Sequence, residues 1–255
     1  MSAGVVFQEA LRILNRQQFP EVSRPDLLAV LEAALPGPLA LLYDAGAEAG
    51  LPRHTLLARA AAIYIKYCAV NLCDDLSDGD CTYLSDPVRI GPCAQFLLQN
   101  LFFRLIVEME LPKSVLSAVT RDIVVGAGLQ DVELRTSQWT APLYCEVADG
   151  IAGRQWAAYL QILWCGTPLA ERAATIGMNL GRAVLGWEDL ASHDPRYTTL
   201  SEADKRAVVA WATTAAEALR EENLRCLDAV LRTIDPVLVK TREPNTDLQG
   251  EYGLH

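Results

Sequence analysis

The sequence predicts an all-α protein, a bundle of about nine or more helices. In successive segments the apolar residues recur at intervals of three and four, and no alternating strand of convincing length is present. Proline and glycine separate these segments, as at Pro36-Gly37-Pro38 and Gly166-Thr167-Pro168. We expect one domain over residues 1–240 and a polar, flexible tail over residues 241–255. The predicted helices are Val5–Gln17, Arg24–Leu35, Leu39–Ala49, Leu56–Leu76, Arg89–Met109, Pro112–Gly128, Pro142–Leu163, Leu169–Leu190 and Ser201–Ile234.

Composition excludes several classes of protein. The 255 residues are 51% hydrophobic, enough to bury a sizeable core, and the net charge of −10 argues against nucleic acid as a partner. The seven cysteines form no CxxC pair, so we expect free thiols in a reducing compartment. The charge-free apolar runs over residues 90–103 and 155–170 are shorter than the ~20 residues of a membrane span. Charged residues also interrupt the N-terminus, so we expect no signal peptide and a cytoplasmic protein without a membrane span.

An acidic cluster follows the long apolar segment Leu56–Cys73. Four carboxylates lie between Asp74 and Asp80. If the helix continues through them, Asp74 and Asp78 share one face at i and i+4, and Asp75 lies beside them. Stacked like charges oppose folding, and a hard divalent cation would neutralise them. Oxygen ligands of this kind favour Mg²⁺, Mn²⁺ or Ca²⁺.

Two alternatives compete with a metal site at this cluster. A calcium-binding loop that places Gly79 at its sixth position would put Leu76 where an oxygen ligand is required, so this alternative fails. An acidic helix end followed by Asp78-Gly79 is also typical of a solvated turn. The solvated turn remains open.

A second acidic site closes the predicted helix Leu169–Leu190. Glu188, Asp189 and Ser192 follow an apolar run and could share one face as hard oxygen ligands. A solvated helix end is the alternative. Two acid-tipped helices that face each other across a bundle would form a central funnel, able to hold several Mg²⁺ ions around a diphosphate.

These segments resemble the trans-isoprenyl diphosphate synthase and class I terpene synthase superfamily over roughly residues 38–197. Asp74-Asp75-Leu76-Ser77-Asp78 matches its first DDxxD motif, and residues 180–192 resemble the second, with Glu188 for the first Asp and Ser192 for the last. Residues 128–131 and 144–153 resemble further segments of the superfamily. The resemblance implies an isoprenoid synthase fold with about three Mg²⁺ ions, for which Mn²⁺ could substitute. The metal ligands it implies are Asp74, Asp75, Asp78, Glu188, Asp189 and Ser192.

The chain departs from the superfamily's elongating members at the isopentenyl diphosphate site. Those enzymes carry GGKRxRP before the first motif and Arg-Arg after it, whereas residues 35–41 and 79–84 here contain no cation. A diphosphate without paired cations is costly to desolvate. The resemblance therefore implies a terpene synthase that ionises one allylic prenyl diphosphate of C10–C20, with the cation then cyclising, eliminating a proton or capturing water.

The remaining site residues are assigned by this resemblance and by chemistry. Arg154, Arg182, Arg196 and Tyr197 are candidate diphosphate contacts, and Arg154, Arg196 and Tyr197 also carry the predicted catalytic roles. Surface or loop positions are the alternatives. Aromatic side chains would shield the carbocation, and core packing is their alternative role. The aromatic candidates are Tyr67, Phe103 and Trp187, followed by Phe96, Trp156 and Tyr159.

Two other functions stay open at this stage. A prenyltransferase or prenyl diphosphate synthase would use the same allylic site with a second substrate. A non-catalytic regulatory subunit of a prenyl synthase would fit the degenerate second motif. A homodimer is compatible with either function.

Overall fold

The computed structural model describes residues 2–240, with side chains for residues 3–234, so the predicted tail lies outside the described residues. Every regular element of the described chain is helical, which confirms the all-α prediction. The chain divides into two compact units. The first comprises the residues up to Arg121 together with Ala158–Ala173, and the second comprises Asp122–Ala157 with the residues from Ala174 onward. The single domain over residues 1–240 and the central funnel stay predictions.

In the first unit a central helix, α4, packs against its neighbours α1, α2, α3 and α5. Residues Ala60–Ile65 of α4 are buried on consecutive positions, so the helix is enclosed on all sides. This explains the long apolar segment that precedes the acidic cluster. The helices are α1 (Ser2–Arg16), α2 (Arg24–Ala33), α3 (Leu39–Glu48), α4 (Arg53–Asp78) and α5 (Pro87–Glu108).

The two ends of α4 are set by local sequence. Pro52 precedes its first residue, and Gly79 ends it in the left-handed conformation with φ of 78°. Close packing on α5 fixes the last turn, because a Cβ at Gly91 would lie 2.6 Å from Cδ2 of Leu76. The first acidic motif therefore occupies the end of a helix whose last turn packs closely on α5.

Helices α4 and α5 are also long and apolar enough to cross a membrane by length and composition alone. The fold buries 61% of the most apolar window of α4 and 33% of that of α5. Core helices of soluble proteins share these properties, so the pattern is weak evidence for a membrane span. The absence of a span stays a prediction.

In the second unit α11 (Glu202–Glu221) packs against α7 (Ala141–Ala148) and α12 (Asp228–Lys240). In the first unit, Arg59 satisfies carbonyls at the C-terminal end of α8 (Gln155–Trp164). Its guanidinium donates to the carbonyls of Leu163 (3.1 Å) and Cys165 (2.6 Å). The remaining helices are α6 (Lys113–Arg135), α9 (Ala173–Ser192) and α10 (Pro195–Thr198).

The predicted helix boundaries differ most from the structure at four places. The helix predicted over Pro112–Gly128 continues to Arg135 as α6. The segment Pro142–Leu163 is interrupted by a π-helical turn over Asp149–Arg154, where the chain packs closely through glycines. The segment Ser201–Ile234 ends at Glu221 and resumes at Asp228, because Asn223 turns the chain with φ of 56°. The helix predicted from Leu169 begins only at Ala173.

Candidate active site

The first acidic motif presents one oriented and two exposed carboxylates. Asp74 and Asp78 are exposed, and Asp75 is half-buried. Oδ2 of Asp75 accepts hydrogen bonds from the hydroxyl of Tyr83 (2.7 Å) and the amide of Asn71 (3.0 Å). Its Oδ1 accepts no hydrogen bond from any residue that the structure describes. Asp75 is thus held in one orientation with one oxygen available.

The turn after α4 is also well ordered by hydrogen bonds. The carbonyl of Asp75 accepts the amides of Gly79, Asp80 (2.8 Å) and Cys81 (3.2 Å). Burial, and then the bond to Asp75, raise the pKa of Tyr83, so its phenol stays protonated and remains a donor. Hydrogen bonds therefore fix the backbone of the turn that follows the acidic cluster, while Asp74, Asp78 and Asp80 remain exposed to solvent.

The donor set at this helix end fits a metal that arrives with its phosphate ligand. Among the described residues no three His, Cys, Asp or Glu side chains converge closely enough to form a metal cage. Mg²⁺ usually binds one or two protein carboxylates and completes its shell with water and substrate phosphates. Asp74, Asp75 and Asp78 match that chemistry. Their role as ligands stays a prediction.

The second acidic motif is arranged differently. The side chain of Asp189 is only 2% exposed. Its Oδ1 accepts from Nη2 of Arg196 at 2.9 Å, and its Oδ2 accepts from the hydroxyl of Tyr144 at 2.7 Å. Glu188 and Ser192 are exposed on the same helix end. Both oxygens of the central carboxylate are therefore engaged within the second unit.

Arg196 is held by two further carboxylates. Its Nε donates to Asp194 at 3.0 Å, and its Nη1 pairs with Glu133. Asp194 also caps α10 by accepting the amide of Arg196 at 2.7 Å. Burial alone would lower the pKa of Arg196, but the three carboxylates raise it. Burial raises the pKa of Asp189 to about 6, although Arg196 and the Tyr144 bond act in the opposite direction.

Tyr197 lies in an aromatic cluster beside this network. It is half-buried and packs against buried residues that include Tyr144 and Val208. Burial raises the pKa of Tyr197. The narrow crevice here has no room for a water molecule, and its lining residues are Trp139, Tyr144, Val147, Ala148, Ile151, Leu185, Asp189 and Arg196. The predicted pair Arg196-Tyr197 is therefore built into the second unit next to Asp189.

The other two predicted diphosphate contacts differ in how firmly they are held. Arg182 forms a bidentate ion pair with Asp149, with N···O distances of 2.6 and 2.7 Å, and its guanidinium lies 5.9 Å from the ring centre of Trp211. Arg154 makes one bond of 3.2 Å to the buried Asp122, and 39% of its side chain is exposed. Arg154 is therefore the cation of the two that is more available to a ligand.

The predicted aromatic residues occupy separate packing sites. Tyr67 stacks on Tyr64 with ring centres 6.5 Å apart, and Phe103 meets the edge of Phe102 at 5.4 Å. Trp187 is half-buried, and its indole Nε1 finds no hydrogen-bond partner among the described residues. Of the other candidates Tyr159 is buried, Trp156 is half-buried and Phe96 is exposed. Their contact with a carbocation stays a prediction.

Several residues around the acidic motifs were not identified as site residues from the sequence. Asn71 lies one helical turn before Asp75, and that i, i+4 spacing could have indicated the bond. Tyr83 reaches Asp75 from beyond the turn, and Glu133 reaches Arg196 from another helix. No periodic pattern connects such positions. Tyr144 lies in the segment 144–153 that resembles the superfamily, but that resemblance does not indicate its bond to Asp189.

Comparisons with known proteins agree with this architecture. No protein-family model and no curated protein matches the chain. A geranyltranstransferase from Thermotoga maritima superposes with a TM-score of 0.68 at 16% identity, covering 94% of this chain and 98% of that one. An isoprenoid synthase family member from Thermotoga neapolitana gives 0.69 at 15%, covering 92% and 99%. The chain has the fold of an isoprenoid synthase.

A third isoprenoid synthase structure holds ligands. It is a polyprenyl synthase from Caulobacter crescentus, complexed with calcium and isoprenyl diphosphate. It gives a TM-score of 0.65 at 20% identity and covers 94% of this chain and 96% of that one. The isoprenoid synthase fold predicted from the two acidic motifs is thereby confirmed. At these identities the comparison establishes the fold, and the activity is argued from the residues below.

Proposed function

We propose that this protein is a Mg²⁺-dependent prenyltransferase that ionises an allylic prenyl diphosphate of C10–C20. The observation that carries the proposal is the acidic end of α4, where Tyr83 and Asn71 orient Asp75 between two exposed carboxylates. The similar solved structures support transfer over elimination, because they include a geranyltranstransferase and a polyprenyl synthase.

The residues of α4 would hold the metal, and a bound Mg²⁺ would supply Lewis-acid neutralisation of the leaving diphosphate. Asp74, Asp75 and Asp78 are the proposed ligands, and Tyr83 keeps Asp75 in position. Arg154 is the proposed cation for the diphosphate oxygens, since a guanidinium suits their geometry. The allylic C–O bond breaks with its electron pair on the diphosphate. The acceptor then supplies the pair for the new bond and loses a proton.

One observation favours a terpene synthase as the second candidate. The segments 35–41 and 79–84 contain no Lys or Arg, although elongating enzymes of the resembled superfamily bind isopentenyl diphosphate there through cations. In this chain the second segment contributes Tyr83 to Asp75 instead. An enzyme without an isopentenyl site would convert its carbocation without a prenyl acceptor.

The deciding experiment incubates the purified protein with Mg²⁺ and geranyl, farnesyl or geranylgeranyl diphosphate, with and without labelled isopentenyl diphosphate. Released diphosphate reports ionisation, and extraction separates longer prenyl diphosphates from hydrocarbons and alcohols. Label in a longer product identifies a prenyl diphosphate synthase. Hydrocarbon or alcohol formed equally without acceptor identifies a terpene synthase and overturns the proposed transfer.

The same assay distinguishes an enzyme from a non-catalytic regulatory subunit. The absence of diphosphate release from all three substrates overturns the proposed function and leaves the regulatory alternative. The active-site control is Asp75→Asn, and the matched variant is Asp44→Asn, an exposed carboxylate on α3 of the same unit. Diphosphate release at the parent rate in Asp75→Asn would show that the acidic end of α4 is not the site of ionisation.

A further inference from the structure

The second acidic motif encloses a cation supplied by the chain itself. Glu133, Asp189 and Asp194 surround the guanidinium of Arg196, so three carboxylates share one fixed positive charge. Of these side chains Asp189 is 2% exposed, Glu133 13% and Arg196 19%. Interactions between charges removed from water are strong, and losing one partner of such a group is costly.

The geometry leaves Asp189 little capacity for a metal. A carboxylate that binds Mg²⁺ offers an oxygen at about 2.0–2.1 Å in an octahedral shell. Here Oδ1 faces Arg196 and Oδ2 faces Tyr144, at hydrogen-bond distances of 2.9 and 2.7 Å. The carbonyl of Asp189 also accepts the amide of Asp194 at 3.0 Å, which fixes the turn that carries Arg196. The residues therefore do not fit a metal ligand set at Asp189.

We infer that Arg196 takes the place of a metal ion at the second acidic motif, so that this motif is a closed structural cluster. Of the two acidic motifs, only the one at the end of α4 then binds metal. The inference rests on the proposed function only in assigning metal to α4. The inference replaces the metal-ligand roles predicted for Glu188, Asp189 and Ser192, because the guanidinium of Arg196 and the phenol of Tyr144 already satisfy the carboxylate of Asp189.

The first test counts bound Mn²⁺ by electron paramagnetic resonance in the presence of inorganic diphosphate, with no turnover required. We expect Asp189→Asn, Glu188→Gln and Ser192→Ala to bind the same number of Mn²⁺ ions as the parent protein. Asp75→Asn should bind fewer. Loss of a Mn²⁺ ion in Asp189→Asn, or in the two exposed-residue variants if Asp189→Asn fails to fold, would overturn the inference.

The second test measures thermal unfolding of Arg196→Ala without metal. Removal of the guanidinium leaves three carboxylates together, so we expect Tm to fall by roughly 5–15 °C. The matched control is Arg206→Ala, an exposed arginine on α11, for which Tm should change little. A Tm of Arg196→Ala equal to the parent value would show that no closed cluster exists. If the parent protein binds no Mn²⁺, the proposed function fails while this second test still decides the inference.

Discussion

Gly181 of α9 lies directly against Ala152 in the π-helical turn. A Cβ at Gly181 would overlap the carbonyl group of Ala152 and would lie 2.6 Å from the amide nitrogen of Gly153. This close approach holds the turn, which carries Asp149, against the helix that carries Arg182, and those two side chains pair across it. Glycine at position 181 thus positions the charged groups of the second unit.

Substitution of Gly181 by alanine should therefore destabilise the protein. The new methyl group meets backbone atoms, which cannot move aside as a flexible side chain can, and overpacking of this kind costs about 1–3 kcal/mol or more. Urea unfolding of Gly181→Ala would measure the loss. The matched control is Gly128→Ala on α6, where a Cβ meets nothing within 4 Å. Because alanine favours helix, that variant should be as stable as the parent or more stable by up to ~1 kcal/mol. Equal stability of the two variants would contradict the proposed close packing.

Neutralising the oriented carboxylate should abolish turnover without unfolding the protein. Asp75→Asn relieves like-charge repulsion at the acidic end of α4 but also weakens the hydrogen bonds from Tyr83 and Asn71, so its circular dichroism should match that of the parent and its Tm should stay close to the parent value or fall slightly. Diphosphate release from an allylic substrate should fall below detection. Activity at the parent level in Asp75→Asn, or in excess chelator, would contradict the metal assignment.

Tyr83 should act on the reaction through Asp75. Tyr83→Phe removes the 2.7 Å hydrogen bond but leaves the carboxylate and Asn71 in place. A hydrogen bond to a charged group contributes about 1.5–3 kcal/mol, so we expect roughly a ten- to hundredfold loss of kcat/KM rather than abolition. The Mg²⁺ concentration at half-maximal activity should rise in the same variant. A purely structural role for Tyr83 would lower Tm and leave that concentration unchanged.

The sequence predicted the elements whose causes are local. The apolar segment of α4, the acidic motif in its last turns and the glycine that ends it are consecutive in the chain, so periodicity and turn chemistry identify them. The hydrogen-bond network around Asp189 could not be predicted from local sequence patterns. Glu133 bonds to Arg196 and Tyr144 bonds to Asp189 from separate helices, and only the folded chain brings these residues together. Similarly, the π-helical turn depends on glycine contacts between helices, which a single helical pattern does not reveal.

The buried ammonium group of Lys66 should make the stability of the protein depend on pH. The side chain is 5% exposed and forms no hydrogen bond or ion pair with a described residue, and burial lowers its pKa to about 8 although Cys73 opposes this. The unfolded chain has an ordinary lysine pKa of about 10.4 and so binds more protons than the folded protein between pH 8 and that value. Stability should therefore rise with pH across that window and carry a constant penalty below it.

The variant Lys66→Met tests this directly. It should be more stable than the parent at pH 7 by an amount on the order of 1–3 kcal/mol and should lose the rise between pH 8 and 10. Chemical unfolding across pH 6–10 provides the measurement. Lys113→Met, at an exposed lysine on α6, is the matched control and should keep the parent profile. A parallel pH profile for Lys66→Met and the parent would contradict the buried, unpaired ammonium.

Arg154 provides the sharpest test of the proposed diphosphate contact. It sits at the end of the π-helical turn with 39% of its side chain exposed and a single 3.2 Å bond to Asp122, so its remaining N–H groups can reach a ligand. A guanidinium that stabilises the departing diphosphate acts mainly on the transition state, and its loss lowers kcat more than it raises KM. Such a charge-assisted contact contributes about 1.5–3 kcal/mol, which corresponds to roughly a ten- to hundredfold loss of rate in Arg154→Ala.

Steady-state kinetics with an allylic diphosphate would measure this loss. Arg154→Lys should recover part of the rate, because lysine restores the positive charge but not the bidentate hydrogen bonding of a guanidinium. Because Asp122 is buried, Tm must be recorded for both variants, and a fall in Tm that accounts for the loss would indicate a structural arginine. Arg172→Ala, at an exposed arginine outside the acidic motifs, serves as the control and should turn over at the parent rate. If Arg154→Ala also does so, the diphosphate contact lies elsewhere, and Arg182 becomes the next position to substitute.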